Sequence, residues 1–548
     1  MILWEHTSVI KLPQQETKSL VALHGWTAVV LGFLLYAVVA TGTVAVLADQ
    51  ILHWSVGSVK PANPFQYDVN GITRSLAEKV EPKFHEEIVY STSPRGNLEV
   101  FFHTHRENPN GELEDYGVQF EVDPATKAIL QERTGTATEL HNTNQFETLS
   151  RFLIDIHTEL HLPRPWGLLL TGILGLGMLV AAVSGFMMHR HLFADMFVLR
   201  KKANTVLKKR DNHIVAGTWG LPFAFILAFT GSFFSFAGAF GIPAMAMVAF
   251  GGDQEAMMRT VVGMPETENN ESAATANLNT VVSDSARRVE QYPTFMLVSH
   301  YGRGDANILV FLEPPETTIE PIQLEYDGVT GEFSRQKPAL GLVQSAGSVA
   351  FSLVGPLHFG DFAGLLSRLV WVALGFASCY VILSGLSLWV ARRGKRWHRF
   401  LCFVYALGTG LPVAMLAAGM GYFVALGSAA SAVFWVPVSF LAASALVVMP
   451  AMIVKSPQVF QRNLLLVCGL LCFALPVLRM VTGGPGWLEA ISSQNTAVIL
   501  VDAMLVVSGS FALWLRKKSH DDISLPAQKS PDRPTNGLPI EPISGGSV

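Results

Sequence analysis

Residues 351–393 read FSLVGPLHFGDFAGLLSRLVWVALGFASCYVILSGLSLWVARR. No charged residue interrupts the run from Leu369 to Val390, and a stretch of about 20 apolar residues is what a helix needs to cross a bilayer. A histidine, His358, stands just before it, and an Arg-rich segment follows. The same arrangement recurs at SLVALHGWTAVVLG (19–32), FLIDIHTELHLPRPWG (152–167) and KKRDNHIVAGTWG (208–220), where His24, His157 and His213 each open an apolar run. A titratable side chain at the mouth of one membrane helix is ordinary interfacial furniture. Four of them at matching places require a common cause.

Half of the 548 residues are hydrophobic and only 15% are charged, where a soluble protein carries roughly 25%. The fold class is therefore a polytopic α-helical membrane protein with some polar mass outside the bilayer. Apolar runs near 21–47, 164–187, 214–241, 364–390, 400–425, 432–454, 463–480 and 495–515 predict eight spans. The first is too long for a signal-peptide core and is read as retained. A net charge of −4 excludes nucleic acid as a natural partner. All four cysteines lie in apolar runs and suit packing, so the polar regions cannot form disulfides.

Lys and Arg orient the chain. The segment 189–213 carries seven against two Asp, 391–399 carries five with no acid, and the last run ends in RKK at 516–518. All three are expected on the cytoplasmic side, with both termini. The long insertions 49–160 and 245–360 then face the opposite side. Each shows the same plan. YDVNGITRSLAEKV (67–80) and NTVVSDSARRVEQYP (279–293) are helix candidates, and each precedes alternating strand patterns. In the first insertion these are NLEVFFHTHR and YGVQFEVDPATKAIL, and in the second FMLVSHYGRGDANILVFLE and IQLEYDGVTGEFSRQ. A small sheet with one helix packed on it is expected in each.

The spans repeat too. His24 to Gly42 and His213 to Gly231 are both 18 residues, ending in TG; His157 to Gly185 is 28 and His358 to Gly385 is 27, ending in SG. The chain thus reads as a parallel repeat, and such repeats place sites at their interface. The expected units are 1–48 (N-terminus and first span), 49–160 (first insertion), 161–244 (two spans with the basic loop), 245–360 (second insertion), 361–395 (fourth span), 396–516 (a four-span extension with no repeat partner) and 517–548 (a polar tail).

These motifs resemble a known family. ALHGWTAVVLG with ATG, DIHTELHLP with SGFMMHRHLFADMFVLR, DNHIVAGTWGLP with FTGSF, and LHFGDFAGLLSR with LSGLSLWVARR are similar to the PepSY-associated transmembrane-helix proteins, which include iron-regulated inner-membrane proteins and ferric-siderophore reductases. The resemblance covers about residues 18–395 and implies two PepSY-like α+β domains outside the cytoplasm of a bacterial inner membrane. It further implies haem b held by histidines, and electron delivery to ferric iron or a ferric siderophore. The residues agree with this chemistry. Ionisable groups at spans are rare and usually functional, haem iron is commonly held by histidine, and a bundle supplies facing side chains. Topology sorts the histidines into an outer layer, His157 and His358, and an inner layer with three candidates, His24, His189 and His213.

Two haems would carry electrons across the bilayer. Arg151 and Arg368, with Arg164, are candidates for propionate pairing; His161 is an alternative to His157, and HTH at 103–105 puts two imidazoles on one strand face. The chain has no Walker or dinucleotide motif, so a membrane quinol or a separate reductase is the expected electron source. Two other functions compete. One is a non-enzymatic envelope protein whose PepSY-like domains bind peptides or restrain a peptidase. The other is a transporter, disfavoured because Asp502 is nearly alone among acids in the spans.

Overall fold

The computed structural model describes residues 12–57, 63–108, 113–188, 196–200, 204–253, 256–257, 268–313, 321–338 and 344–524. Among them are eight helices long and apolar enough to cross a membrane: Gln14–Ala45, Trp166–Met187, Leu221–Gly241, Gly364–Arg393, His398–Gly427, Ala432–Ile453, Pro457–Val481 and Thr496–Lys518. They match the expected runs in number and order. Two differ in detail for local reasons. The expected third span, 214–241, begins inside a separate helix, Thr205–Trp219, and Pro222 in the first turn of Leu221–Phe236 marks the break. The last helix continues to Ser524, past the expected boundary at 516.

The two insertions behave as one body. Strands β1 (Glu87–Thr92), β2 (Leu98–Glu107), β3 (Leu113–Val122) and β4 (Ile129–Thr136) form the first half, and β5 (Phe295–Ser299), β6 (Asn307–Leu312), β7 (Ile322–Asp327) and β8 (Phe333–Lys337) the second. The order β4-β3-β2-β1-β5-β6-β7-β8 shows that the halves join edge to edge. β1 and β5 run antiparallel with Val89 opposite Leu297, so each half covers the other's open edge. One face buries Ile88, Tyr90, Val100, Phe102, Met296, Val298, Ile308 and Val310 under the helices Val69–Ala77 and Leu278–Val289. Those helices are pinned together reciprocally: Asn70 N–H donates to Asn279 Oδ1 at 3.0 Å, and Leu278 N–H to Asn70 Oδ1 at 3.2 Å.

The four-span extension packs against the first repeat. Its residues Tyr422, Phe423, Val436, Leu475 and Val498 share a core with Trp54, Phe152, Leu153 and Ile156. Tyr36 Oη, in the first span, donates to Gly408 O at 2.9 Å, within a π-helical turn at Ala406–Gly410.

Candidate functional site

The four matched histidines form two pairs between the repeats. His157 and His358 lie with ring centres 6.1 Å apart. His24 and His213 are also 6.1 Å apart. The first pair is on the sheet side of the bundle and the second on the side of the basic loops. His157 and His358 do not sit on the spans they precede. They project from the short helices Thr148–Glu159 and Ala346–Phe359, which fold back before the chain enters the bundle.

Each ring is held by a second element. His24 Nδ1 meets Ala181 O at 3.0 Å, His157 Nδ1 meets Val38 O at 2.9 Å, and His213 Nδ1 meets Val381 O at 3.1 Å. A carbonyl only accepts, so the proton is on Nδ1 in all three. His358 Nδ1 contacts Thr230 Oγ1 at 2.9 Å, and that hydroxyl already donates to Ile226 O at 2.7 Å. Thr230 therefore accepts as well. In this tautomer Nε2 presents a lone pair, the form that binds metal.

Glycine makes room for each ring. A Cβ at Gly42 would stand 2.6 Å from His157 Cε1; at Gly231 it would stand 3.2 Å from His358 Cε1, at Gly185 3.3 Å from His24 Cε1, and at Gly385 3.1 Å from His213 Cε1. The TG and SG markers thus have a reason that spacing along the chain concealed. The glycine counted from one histidine in fact cradles the ring of the other histidine of the same repeat.

The inner pair opens on a cavity of about 690 Å³ lined by His24, Gly185, His213 and Gly385, with Arg210, Arg392 and Arg393 at its basic end. The outer pair opens on a smaller one, about 150 Å³, lined by Gly42, His157, Gly231, Phe234 and His358. Leu35 and Met178 line both, so the two cavities share a wall.

Other candidates lie elsewhere. Arg151 pairs with Glu147 at 2.6 Å and also donates to His141 O; Arg368 pairs with Asp361 at 2.9 Å. Arg164 pairs with Glu159, and His161 packs on Phe152 with ring centres 4.4 Å apart. His189 and His191 fall outside the described residues. The cavity arginines Arg210, Arg392 and Arg393 were read from sequence only as orientation signals, since a basic loop gives no hint of which side chains turn back toward the bundle.

A duplicated helical unit with paired imidazoles between its copies, crowned by a shared sheet, defines a multi-pass membrane protein built around an internal site. Its family is the PepSY-associated TM region family, to which the chain belongs by its match over residues 21–392. It is also similar to the uncharacterized Pseudomonas aeruginosa protein PA4219, at 26% identity over 373 residues, covering 65% of this chain and 92% of that one.

Proposed function

We propose that the protein is a transmembrane electron carrier holding haem b between His24 and His213 and between His157 and His358, and passing electrons to ferric iron or a ferric siderophore on the sheet side of a bacterial inner membrane. The observation that carries this reading is the ring separation. Metal–imidazole bonds of about 2.0–2.1 Å on both sides of one ion, with the distance from nitrogen to ring centre added twice, separate the ring centres by about 6.3 Å. Both pairs stand at 6.1 Å. The inner cavity also has the size of a cofactor site, about 300–1,000 Å³. The outer one matches in donors and spacing and has to widen to admit a macrocycle.

Haem bound here supplies reversible one-electron carriage. The chain's own residues do the rest. Ala181, Val38 and Val381 carbonyls and the Thr230 hydroxyl keep the Nδ1 protons in place and make Nε2 the more basic donor. Each haem would be held by two imidazoles, a ligand set that would suit electron transfer rather than oxygen chemistry. Arg210, Arg392 and Arg393 supply positive charge for carboxylate groups at the inner cavity. Leu35 and Met178 keep the wall between the layers thin and apolar. Electrons enter from a membrane quinol or a separate reductase.

The test is the absorption spectrum of the solubilised protein. Wild type should be red with a reduced-minus-oxidised Soret change, and His157→Ala or His358→Ala should remove part of it while His24→Ala removes another part. A colourless, iron-free preparation from haem-replete cells ends this reading.

A further inference from the structure

On the face of the sheet opposite its helices, three side chains from β1 and β2 converge: Glu87, His103 and His105, with one donor atom from each lying within 4.8 Å of the others. We propose that they form a divalent-cation site of the zinc class, distinct from the histidine pairs in the bundle and, among the described residues, carried by the first repeat alone.

The register builds it. Glu87 stands directly opposite His103, and His105 opposite Asp115 on β3. Residues two apart on a strand share a face, so both imidazoles point the same way. Glu87 Oε2 lies 3.0 Å from His103 Nε2 and 3.8 Å from His105 Nε2. A tetrahedral ion with bonds of about 2.0–2.1 Å spaces its donors by about 3.3 Å, between those two values. His103 is 2% exposed and Glu87 9%, so two of the three donors are buried, and the exposed His105 stands at the open rim. Phe101 stacks on the His103 ring at 4.7 Å, and Ser299 Oγ donates to the other Glu87 oxygen at 3.3 Å.

The surroundings are those of a ligating histidine. His105 turns Nδ1 toward Glu86 at 3.5 Å and Nε2 toward Glu87 and Asp115, the latter at 3.4 Å. A carboxylate behind one ring nitrogen that orients the other is the common second layer of a metal centre. Glu86 is in turn held by the Thr104 hydroxyl. Three carboxylates around two imidazoles favour a cation, and two nitrogens with one oxygen favour Zn²⁺ over Mg²⁺ or Ca²⁺. Asp115 or water completes the coordination. The matching positions of the second half offer no such set: β6 presents Asn307, Leu309 and Phe311 on that face.

The full-length protein, carrying no histidine tag and stripped with chelator, is dialysed against Zn²⁺ alone and its metal content measured by mass spectrometry beside its Soret absorbance. Wild type should hold one Zn²⁺ per chain on this site with a rise in melting temperature, as a ligand bound only to the folded state requires. His105→Ala should weaken Zn²⁺ binding about tenfold or more and leave the Soret band intact. Because His103 is buried, Glu87→Gln serves as the second variant; it preserves shape and should lose Zn²⁺ likewise. Unchanged Zn²⁺ content in both variants, or no Zn²⁺ on a wild type that melts cooperatively, overturns the site and leaves a hydrogen-bonded His–Glu cluster. Loss of colour without loss of Zn²⁺ would overturn the haem reading alone.

Discussion

At the residue scale, glycine decides where an imidazole fits. Gly42→Ala puts a methyl group 2.6 Å from His157 Cε1, inside any van der Waals contact, so the ring must move. Gly486, in the extension and lining neither cavity, has nothing within 4 Å of its missing Cβ. Under the haem reading, Gly42→Ala should reduce the Soret absorbance by about the share of one site, while Gly486→Ala leaves it unchanged, as difference spectra of equal protein amounts will show. Glu99 on β2 offers a second check, on stability. Burial, and then the nearby Glu147 and Glu121 carboxylates, raise its pKa to about 7 from 4.5. Between those values the folded protein keeps the proton and the unfolded chain gives it up. The folded state therefore binds more protons there, and stability falls as pH rises through the window. Glu99→Gln should flatten this slope and raise stability near pH 8 by on the order of 2 kcal/mol, measured by thermal melts between pH 5 and 8.

At the scale of elements, an ion pair inside the extension holds the carboxylate to which Trp54 of the first repeat is tied. Arg479 of the seventh span is fully buried and donates to Asp502 Oδ2 of the eighth at 2.8 Å. Trp487 Nε1 donates to the same oxygen at 2.9 Å, and Trp54 Nε1, just past the first span, to Oδ1 at 2.7 Å. Asp502, the lone acid that sequence reading set aside as a poor basis for ion coupling, is thus saturated by donors. Removing one partner strands the other charge. Asp502→Ala should cost about 3–5 kcal/mol, whereas the paired change Arg479→Met with Asp502→Leu should cost much less, read as the melting temperature in detergent. The pre-span helix Thr148–Glu159, which bears His157, lies in the same core as these spans. The extension therefore supports the outer histidine of the first repeat. Sequence showed four more spans but not what they cover, because a uniformly apolar helix carries no mark of which neighbour it meets.

At the scale of the whole molecule, the two repeats meet twice, in the sheet and in the bundle. The reciprocal Asn70–Asn279 contact closes the upper junction. Alanine at either position should destabilise by about 1 kcal/mol, because each removes the side-chain acceptor of a different backbone N–H, that of Leu278 or of Asn70; thermal melts of the single variants measure it. Much of this architecture was legible beforehand. The eight spans follow from hydropathy, since bilayer thickness sets a length that composition alone must meet. The strand and helix order of the insertions follows from periodicity, and the repeat from matched His and Gly positions. Symmetry pointed to His157 with His358 in the outer layer, but left three candidates, His24, His189 and His213, in the inner one. Beyond reach were the β1–β5 junction, the glycine that faces each ring, the arginines at the inner cavity and the Glu87–His103–His105 cluster. By itself the sequence determined what crosses the membrane, what stays outside and which residues come in copies, because these depend on local solvation and on order along the chain. Only the tertiary structure decided which copy faces which, because those contacts join residues more than a hundred positions apart, as Val89 faces Leu297 and Asn70 faces Asn279, and no local pattern records them.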